Sequence, residues 1–209
     1  MYIAPKFKVE NSEAVCDVIR NYSFATLIST DLNGEVFVSH IPVLAEFGAD
    51  KLISLKGHLS LNNPHVQLLK KNPQATIIFH GPHSYISPTW YRSGRDVPTW
   101  NYVVVHVKGK IKFGSSFKEL VQLLAQTSQK YEASNANAWK FELPADLKDE
   151  ASLMNAIIAF EMLPASIEAK FKLSQNRSQA DQDGIIDGLS RRVDEMSQRV
   201  KELMAKSTS

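Results

Sequence analysis

Hydrophobic and polar positions follow two different periods along this chain of 209 residues. Near the N-terminus apolar residues recur three and four positions apart, which predicts a helix from Ser12 to about Tyr22 with Asn11 or Ser12 as its cap. From Phe24 onward short apolar runs alternate with turn residues, a pattern typical of strands. We therefore expect one helix followed by a mainly β region.

The strand pattern can be placed along the chain. Predicted strands cover residues 24–30, 36–44, 52–58, 75–80, 103–113 and 167–173. Asn33-Gly34 is a strong hairpin signal between the first two strands, and Gly81-Pro82 is predicted to end the fourth. Gly48-Ala49-Asp50 marks the turn before the third strand. Consecutive hairpins of this kind predict a mainly β fold with helices, built as a small antiparallel barrel.

Helices are predicted where capping residues precede apolar repeats. Asn63 caps a short helix that starts at Pro64 and stops before Pro73. Ser116 and Glu119 form a capping box for the next helix, and residues 151–158 form a further short one. No glycine-rich turn joins the first strand to a helix, so a parallel dinucleotide-binding fold is not supported.

The C-terminal tail has an apolar repeat of its own. Its apolar residues stand alternately three and four apart, as in three coiled-coil heptads: Ile186, Leu189, Val193, Met196, Val200 and Leu203. Two interpretations fit equally well, a helix that lies on its own barrel and a helix that pairs with a partner subunit. We accordingly expect a barrel domain over residues 1–181 and a C-terminal helix over 182–209, which can belong to the same domain.

The composition of the chain says more about its cellular compartment than about its function. The formal net charge of +2 neither identifies nor excludes a protein that binds nucleic acid. The single cysteine, Cys16, lies on an apolar helical stripe and is expected to be buried, and a lone cysteine fits a reducing compartment. The sequence shows no signal peptide and no apolar run of the roughly 18 residues that span a bilayer. A cytoplasmic protein without membrane contact is predicted.

The segment 57–64 is the first candidate for chemistry. It carries donors directly before a helix start, where free backbone amides and the helix dipole favour an anion such as a phosphate. Lys56, His58, Ser60 and Asn62 can add side-chain donors. The alternative is an ordinary connection between a strand and a helix with a capping asparagine.

Two loops rich in aromatic residues are the second candidate. Residues 81–91 and 97–102 hold Tyr85, Trp90, Tyr91 and Trp100 among prolines, threonines and an asparagine. Rigid aromatic loops with polar donors suit a flat heterocycle. On this pattern alone, a role in anchoring the loops in a core or a dimer interface is favoured.

Other kinds of site have weaker support. His80 and His83 lack an accompanying Cys pair or HExxH motif, so no metal site is predicted, and no nucleophilic triad is recognisable. The alternating lysines Lys108, Lys110 and Lys112 can touch DNA phosphates, but no helix-turn-helix or zinc finger is present to read bases.

Several of these segments together resemble the PaiB family of negative transcriptional regulators. The resemblance is carried by residues 24–30 (FATLIST), 57–59 (GHL), 81–88 (GPHSYISP), 97–102 (VPTWNY) and 170–177 (KFKLSQNR). The family belongs to the FMN-binding split-barrel superfamily, so the resemblance implies an antiparallel split β-barrel, FMN as the cofactor and a homodimer with flavin sites between subunits. It also implies an association with transcriptional control, in which DNA is met directly or indirectly.

The resemblance also implies where the cofactor lies. The phosphate would be held by Ser39, His40, Lys56, Gly57, His58 and Asn62. The ring would lie near Ser29 and Thr30, with Thr99, Trp100 and Asn101 reaching in, and Arg177 would be a further phosphate or ring partner. No catalytic residue is assigned. The chain departs from the family pattern in the short stretch 92–96, which leaves open any ligand beyond the flavin.

Three functions remain open. The first is an FMN-binding regulator of transcription. The second is a flavin-dependent oxidoreductase that uses NAD(P)H or a small substrate, with His58 or His83 moving protons. The third is a flavin-free dimeric interaction module.

Overall fold

The computed structural model describes residues 1–10, 12–49, 51–94, 97–114, 116–143 and 150–207. Asn11, one of the two predicted helix caps, lies outside the described residues, as do Asp50 of the predicted turn and Arg95 and Asp96 of the short loop. The helices are α1 (Ser12–Asn21), α2 (Pro64–Lys71), α3 (Phe117–Glu132), α4 (Glu150–Ala156), α5 (Gln179–Ser190) and α6 (Glu195–Ser207). The strands are β1 (Phe24–Thr30), β2 (Val36–Pro42), β3 (Leu44–Gly48), β4 (Lys51–Ser60), β5 (Gln74–Ile86), β6 (Thr99–Phe113) and β7 (Ile157–Lys172). Two single 3₁₀ turns lie at Pro5–Phe7 and Pro88–Trp90.

The strands form one antiparallel sheet in the order β2-β1-β5-β6-β7-β4-β3. The predicted hairpin is confirmed, since β1 pairs antiparallel with β2 along its whole length. Gly34 in the connecting turn has a φ of +87°, a conformation that glycine adopts without steric cost. The Asp31 carboxylate closes the turn by accepting from the backbone N–H groups of Asn33 and Glu35, each at 2.8 Å.

The predicted break at Gly81-Pro82 is wrong, because β5 runs through both residues without interruption. Both residues are buried. A Cβ at Gly81 would lie 2.9 Å from Cβ of Val103 on the neighbouring strand. Glycine at this position thus permits a close approach of two strands, and a single proline removes only one donor from the ladder.

Two further strand predictions need correction. The predicted strand over 36–44 is two strands, β2 and β3, separated by the buried Val43, whose N–H donates to the Ser23 carbonyl at 2.9 Å. The last strand, β7, begins at Ile157 rather than at Ile167, and the preceding helix α4 ends at Ala156. The first ten residues of β7 lack a clean alternation of buried and exposed side chains, which is the signal that the prediction relied on.

Helix starts follow the predicted capping residues. The Asn63 side chain accepts from the backbone N–H of His65 at 3.0 Å, with Pro64 as the first residue of α2. The Ser116 hydroxyl accepts from the N–H of Glu119 at the start of α3, but the Glu119 side chain makes no return bond to Ser116, so only one half of the predicted capping box forms. Cys16 is buried in α1, as its position on the apolar stripe predicts.

Backbone contacts divide the chain into two compact units. Each of the strands β5, β6 and β7 has one part in unit 1 and the other part in unit 2. Unit 1 consists of residues 1–22, 79–106 and 168–209, and unit 2 of residues 23–78 and 107–167. Unit 1 buries a core that includes Ile19, Phe79, Ile86, Val105, Ile185, Leu189, Val200 and Met204. Unit 2 buries Leu27, Leu55, Val66, Leu69, Ile77, Leu120, Leu153, Phe160 and Met162.

The tail does not form the continuous helix that its heptad pattern predicts. It is two helices, α5 and α6, which pack against each other in unit 1. Val193, a predicted heptad position, lies in the break between them and is 99% exposed. The side chains that are buried are Ile185, Leu189, Val200 and Met204, so the tail packs on its own chain in a different register from the one predicted.

Candidate functional site

A buried polar cluster in unit 2 joins two of the predicted site residues through one that was not predicted. We define the hydroxyl–histidine cluster as Ser29, Ser39, Asn63 and His65. His65 is fully buried, and its Nε2 lies 2.8 Å from Ser29 Oγ while its Nδ1 lies 2.9 Å from Ser39 Oγ. Asn63 Nδ2 donates to Ser39 Oγ at 3.2 Å. The cluster therefore ties the end of β1, the middle of β2 and the start of α2 together.

The hydrogen bonds of the cluster indicate one protonation state for His65. Asn63 Oδ1 accepts from the His65 backbone, which leaves its Nδ2 to donate to Ser39. The Ser39 hydroxyl can then donate to His65 Nδ1, and His65 Nε2–H to Ser29. Burial lowers the pKa of His65 from 6.5 to about 4, so the imidazole is neutral near pH 7. The ring also packs edge-on against Phe37, with centroids 4.8 Å apart.

The other predicted residues of unit 2 are spread along the strands and their ends. Lys56 Nζ lies 2.6 Å from Glu46 Oε1 and 3.8 Å from Glu161 Oε1, so two carboxylates already face this ammonium. Burial lowers the pKa of His58, which lies two residues after Lys56 on β4. Gly57 lies where a Cβ would meet the Phe160 ring at 2.7 Å. These contacts explain the residue types by packing and charge pairing.

Three more predicted residues of unit 2 are exposed: Thr30, His40 and Asn62. His40 Nδ1 lies 3.2 Å from the Thr26 hydroxyl on the neighbouring strand. The Thr30 carbonyl accepts from Asn72 Nδ2 at 3.0 Å. Their side chains are accessible to a ligand, in contrast to those of the hydroxyl–histidine cluster.

Unit 1 presents aromatic and cationic side chains together on one face of its strands. We define the aromatic–cation band as His83 and Tyr85 of β5, Trp100 and Tyr102 of β6, and Lys170 and Lys172 of β7. Along each strand these residues alternate with buried ones, so they share a face of the sheet. Trp100 is 53% exposed, and its ring centroid lies 6.1 Å from that of His83 and 6.0 Å from that of Tyr85.

Lys172 is the most constrained cation of the band. Its ammonium donates to the Thr99 hydroxyl and, at 2.8 Å, to the Trp100 carbonyl. Burial lowers the pKa of Lys172, and the charges of Lys170 and Arg177 lower it further. Three cations thus repel one another at a site that is partly withdrawn from water. An anion bound there would relieve that repulsion.

Trp90, Tyr91 and Asn101 of the two aromatic loops make contacts inside unit 1. The Trp90 ring packs on α5 where Gly188 leaves room for it, and the Arg177 guanidinium lies 4.7 Å above the centroid of Tyr91. Asn101 is buried, accepts from the Ser174 hydroxyl at 3.0 Å and donates towards the Met204 sulfur. The loop aromatics therefore divide into anchors and an exposed group. Trp90 and Tyr91 anchor their loop, as the favoured prediction has it, whereas the Trp100 ring is exposed within this chain and its role at a dimer interface stays a prediction.

Two residues at the centre of these contacts, His65 and Lys172, were not among the predicted site residues. His65 stands in the first turn of α2, and only the fold shows that both its ring nitrogens meet serines from distant strands. Lys172 was not predicted as a site residue, although its neighbours Thr99 and Trp100 were. The position of Lys172 inside the conspicuous motif 170–177 was the available signal.

The described part of the chain contains no group of three or more His, Cys, Asp or Glu side chains that can hold a metal ion. Among the same residues, no helix is both long enough and apolar enough to cross a membrane.

The seven-stranded sheet and its helices place the chain in the class of split-barrel proteins. It superposes with a TM-score of 0.60 on a structure from Bacteroides thetaiotaomicron described as "a putative 5-nitroimidazole antibiotic resistance protein", at 14% identity over 78% of this chain and 85% of that one. A structure of an FAD- and heme-binding protein from Mycobacterium smegmatis superposes with a TM-score of 0.59, at 12% identity over 79% of this chain and 73% of that one. These likenesses concern the fold.

Within that class, the chain belongs to the family described as "Putative FMN-binding domain", whose model matches residues 1–164. It is 33% identical over 206 residues to the protease synthase and sporulation protein PAI 2 of Bacillus subtilis, covering 98% of this chain and 96% of that protein. A further relative, an uncharacterized protein of Emericella nidulans, is 28% identical over 78% of each chain. FMN is the cofactor that this family membership assigns, and the expected PaiB-type resemblance is confirmed.

The side chains of the aromatic–cation band fit such a cofactor. A flavin ring needs an aromatic face on which to stack, and the exposed ring of Trp100 lies within 6.1 Å of the exposed rings of Tyr85 and His83. A phosphate needs cations, and Lys170, Lys172 and Arg177 form a cluster of like charge. When bound, FMN would supply redox chemistry through its ring.

Proposed function

We propose that this chain is an FMN-binding regulator of transcription of the PaiB type, acting in the cytoplasm as a homodimer. The observation that carries the flavin part is the cluster of Lys172, Lys170 and Arg177 beside the exposed ring of Trp100. Cations that repel one another next to uncovered aromatic rings are stabilised by an anionic, flat ligand.

The chain offers two alternative contacts for the FMN phosphate, Lys56 and Lys172. Lys56 belongs to the predicted phosphate set, but Glu46 and Glu161 face its ammonium. Lys172 is bonded to neutral oxygens, those of Thr99 and Trp100, and its charged neighbours are cations. A phosphate gains more beside Lys172 because it displaces no carboxylate. We therefore assign the main phosphate contact to Lys172, with Arg177 as its second cation.

The other predicted cofactor residues keep distinct parts in the proposal. Trp100 offers a stacking face, and Asn101 acts behind it as a positioning residue because its amide is already bonded to Ser174. Ser29 and Ser39 act as positioning residues, because their hydroxyls are bonded to the ring nitrogens of His65. The accessible Thr30, His40 and Asn62, with Gly57 and His58 on β4, remain predicted cofactor contacts.

A visible absorption titration tests the proposal directly. The purified full chain is titrated with FMN and with riboflavin, which lacks the phosphate. We expect perturbed flavin bands with FMN and binding at least tenfold weaker with riboflavin, because a charge-assisted hydrogen bond is about twice as strong as a neutral one. Lys172→Met should lose most of this preference for FMN.

Two matched lysine variants sharpen the titration. Lys56→Met tests the alternative phosphate contact, and Lys110→Met, an exposed lysine on β6, is the control. If Lys56→Met abolishes the preference for FMN and Lys172→Met leaves it intact, the assignment to Lys172 is wrong. If neither flavin perturbs the spectrum of the unaltered protein, the flavin proposal fails and a flavin-free interaction module becomes the function to pursue.

The homodimer is proposed from an uncovered apolar strip on β2. Val36 and Val38 point to the same side of this strand and are 59% and 45% exposed, and Leu32 in the preceding turn is also exposed. A symmetric dimer would bury such a strip against a second copy. Light scattering should give a dimer for the unaltered chain and a monomer for Val38→Glu. A dimer that survives this charge would remove the strip from the interface.

The regulatory part rests on similarity to PAI 2 of Bacillus subtilis, which is named for protease synthesis and sporulation. The near balance of charges favours weak or indirect contact with DNA over a tight direct one. Fragment binding measured at several salt concentrations tests the direct form. Affinity that falls steeply with salt would support it, and no binding at low salt would exclude it.

A flavin-dependent oxidoreductase is the second candidate, favoured by one observation. The exposed imidazole of His83 lies beside the Trp100 ring, where its ring nitrogens can donate or accept a proton during flavin chemistry. Bleaching of bound FMN by NADH or NADPH, slowed in His83→Ala, would support this function. Bound FMN that neither reductant bleaches would exclude it.

A further inference from the structure

A polar cleft of about 240 Å³ opens in unit 2 and is lined by residues of β3, β4, β6, β7 and α3. It is smaller than the roughly 300–1,000 Å³ of pockets for drug-sized ligands, which suits a small metabolite. Its apolar lining includes Phe113, Leu123 and Phe160. Its walls carry charge of both signs, with three glutamates and two lysines.

Part of this charge is already paired within the chain. Lys56 Nζ lies 2.6 Å from Glu46 Oε1, and Glu46 also accepts from the Ser54 hydroxyl at 2.8 Å. Glu161 lies 3.8 Å from the same ammonium. These groups form a structural network on one wall of the cleft.

Four further polar side chains line the cleft and take no part in this network. Within the part of the chain that the structure describes, the side chains of Lys112, Glu119, Gln122 and Gln126 form no hydrogen bond or ion pair. Glu119, Gln122 and Gln126 stand at spacings of three and four on α3, so they share one face of that helix. The Glu119 carboxylate is directed to the cleft, since its Oε2 lies 3.6 Å from where a Cβ of Gly114 would be.

We propose that this cleft binds a small zwitterion of the α-amino acid class. Lys112 and Glu119 line one space but form no ion pair, so a ligand with a carboxylate and an ammonium group can stand between them and satisfy both. Gln122 and Gln126 then meet the polar side chain of the ligand, and Leu123 and Phe160 meet its aliphatic stem.

The mixed charge of the walls excludes simpler ligands. A purely anionic metabolite would meet Glu119 and Glu161, and a purely cationic one would meet Lys112 and Lys56. A ligand with either charge alone is therefore attracted by some of these side chains and repelled by the others. The proposal goes beyond flavin binding and does not rest on it, since the residues of the cleft are not those of the aromatic–cation band.

Calorimetry with the full chain tests the proposal. The probes are L-glutamine, L-lysine and L-norvaline, each compared with an analogue that lacks the α-ammonium or the α-carboxylate. We expect at least one of the amino acids to bind, and both of its analogues to bind at least tenfold more weakly. Lys112→Met and Glu119→Gln should each weaken binding at least tenfold, whereas the control Lys110→Met should bind as the unaltered chain does.

Two outcomes would overturn the proposal that the cleft binds an amino acid. Absence of binding by all three amino acids up to millimolar concentration would overturn the proposal. Binding that is unchanged in both Lys112→Met and Glu119→Gln would place the ligand elsewhere and overturn it equally. The FMN titration of Lys112→Met separates the two proposals, because an unchanged flavin spectrum together with lost amino acid binding assigns the effect to the cleft alone. Circular dichroism confirms that both variants are folded.

Discussion

The hydroxyl–histidine cluster of unit 2 and the aromatic–cation band of unit 1 use polar side chains in opposite ways. In the cluster, His65 is fully buried and each of its ring nitrogens meets a serine hydroxyl. In the band, Trp100 is half exposed and Lys172 is pushed towards its neutral form by burial and by two other cations. Buried polar groups stabilise a fold when they are fully paired, and partly exposed ones with unrelieved charge mark a surface for a ligand.

This difference divides the predicted site residues into those that are paired inside the fold and those that remain open to a ligand. Ser29 and Ser39 were predicted as flavin contacts, and the structure gives their hydroxyls internal partners. Trp100 was predicted as a flavin contact as well, and its ring is uncovered. The comparison predicts that changes in the cluster act on stability and that changes in the band act on binding.

The largest effect is expected for His65→Ala. The change opens a cavity at a fully buried position and leaves two serine hydroxyls without their partner, so the free energy of unfolding should fall by about 3–5 kcal/mol. Urea denaturation measures this. His83→Ala, an exposed histidine of the band, is the control and should unfold at the same urea concentration as the unaltered chain. Equal losses in both variants would break the comparison.

The pH dependence of stability should carry the next largest effect. The pKa of His65 is about 4 in the folded protein against 6.5 when unperturbed, so between these values the unfolded chain binds more protons. Stability is therefore complete above pH 6.5 and is lost as the pH falls towards 4, by about 3 kcal/mol from this residue alone.

The difference between the unaltered chain and His65→Gln isolates that contribution. Burial also lowers the pKa of His58, but this histidine is present in both proteins and cancels in the difference. If the two curves of unfolding free energy run parallel from pH 7 to pH 4, His65 is not held neutral by its burial.

Packing behind the band should be less sensitive than the cluster. A Cβ at Gly188 would lie 2.2 Å from the Trp90 ring, so Gly188→Ala should destabilise the protein by about 1–3 kcal/mol through overpacking. Thermal unfolding measures this, with Ser190→Ala on the same helix as the control. In a Trp90→Ala background the penalty should vanish, because the two residues are in contact. A penalty that persists there would locate the strain elsewhere.

The smallest effect on stability is expected in the band itself. Trp100→Ala removes a half-exposed ring, so the unfolding free energy should stay within about 0.5 kcal/mol of that of the unaltered chain. FMN binding should nevertheless weaken by roughly two- to tenfold through the loss of stacking worth about 0.5–1.5 kcal/mol. A stability loss comparable to that of His65→Ala would show that Trp100 is structural.

Local signals in the sequence were reliable where one short segment contains the whole physical cause. The first strand is found at residues 24–30 as predicted, Gly34 has the left-handed conformation that Asn33-Gly34 indicates, and Asn63 caps α2. The family resemblance was reliable for a related reason, because long motifs identify a fold, and with it FMN, without any structure.

The same signals failed where distant residues decide the outcome. Gly81-Pro82 normally ends a strand, but here the glycine lets the strand with Val103 approach closely and β5 continues. The tail repeat predicted one long helix, and the structure has two helices separated at the fully exposed Val193. In both cases the periodicity of one segment carries no information on the neighbour against which it packs.

Local patterns and family motifs were enough to predict the mainly antiparallel β class, the caps of α2 and α3, the turn at Asn33-Gly34 and membership of an FMN-binding family. The folded structure was needed to see which polar residues are paired inside the fold and which remain open to a ligand. Ser39 and Lys172 look alike as polar residues on strands, yet one is bonded to a buried imidazole and the other stands among cations. The reason is physical, because pairing and burial depend on residues that lie far apart in the chain and meet only when it folds.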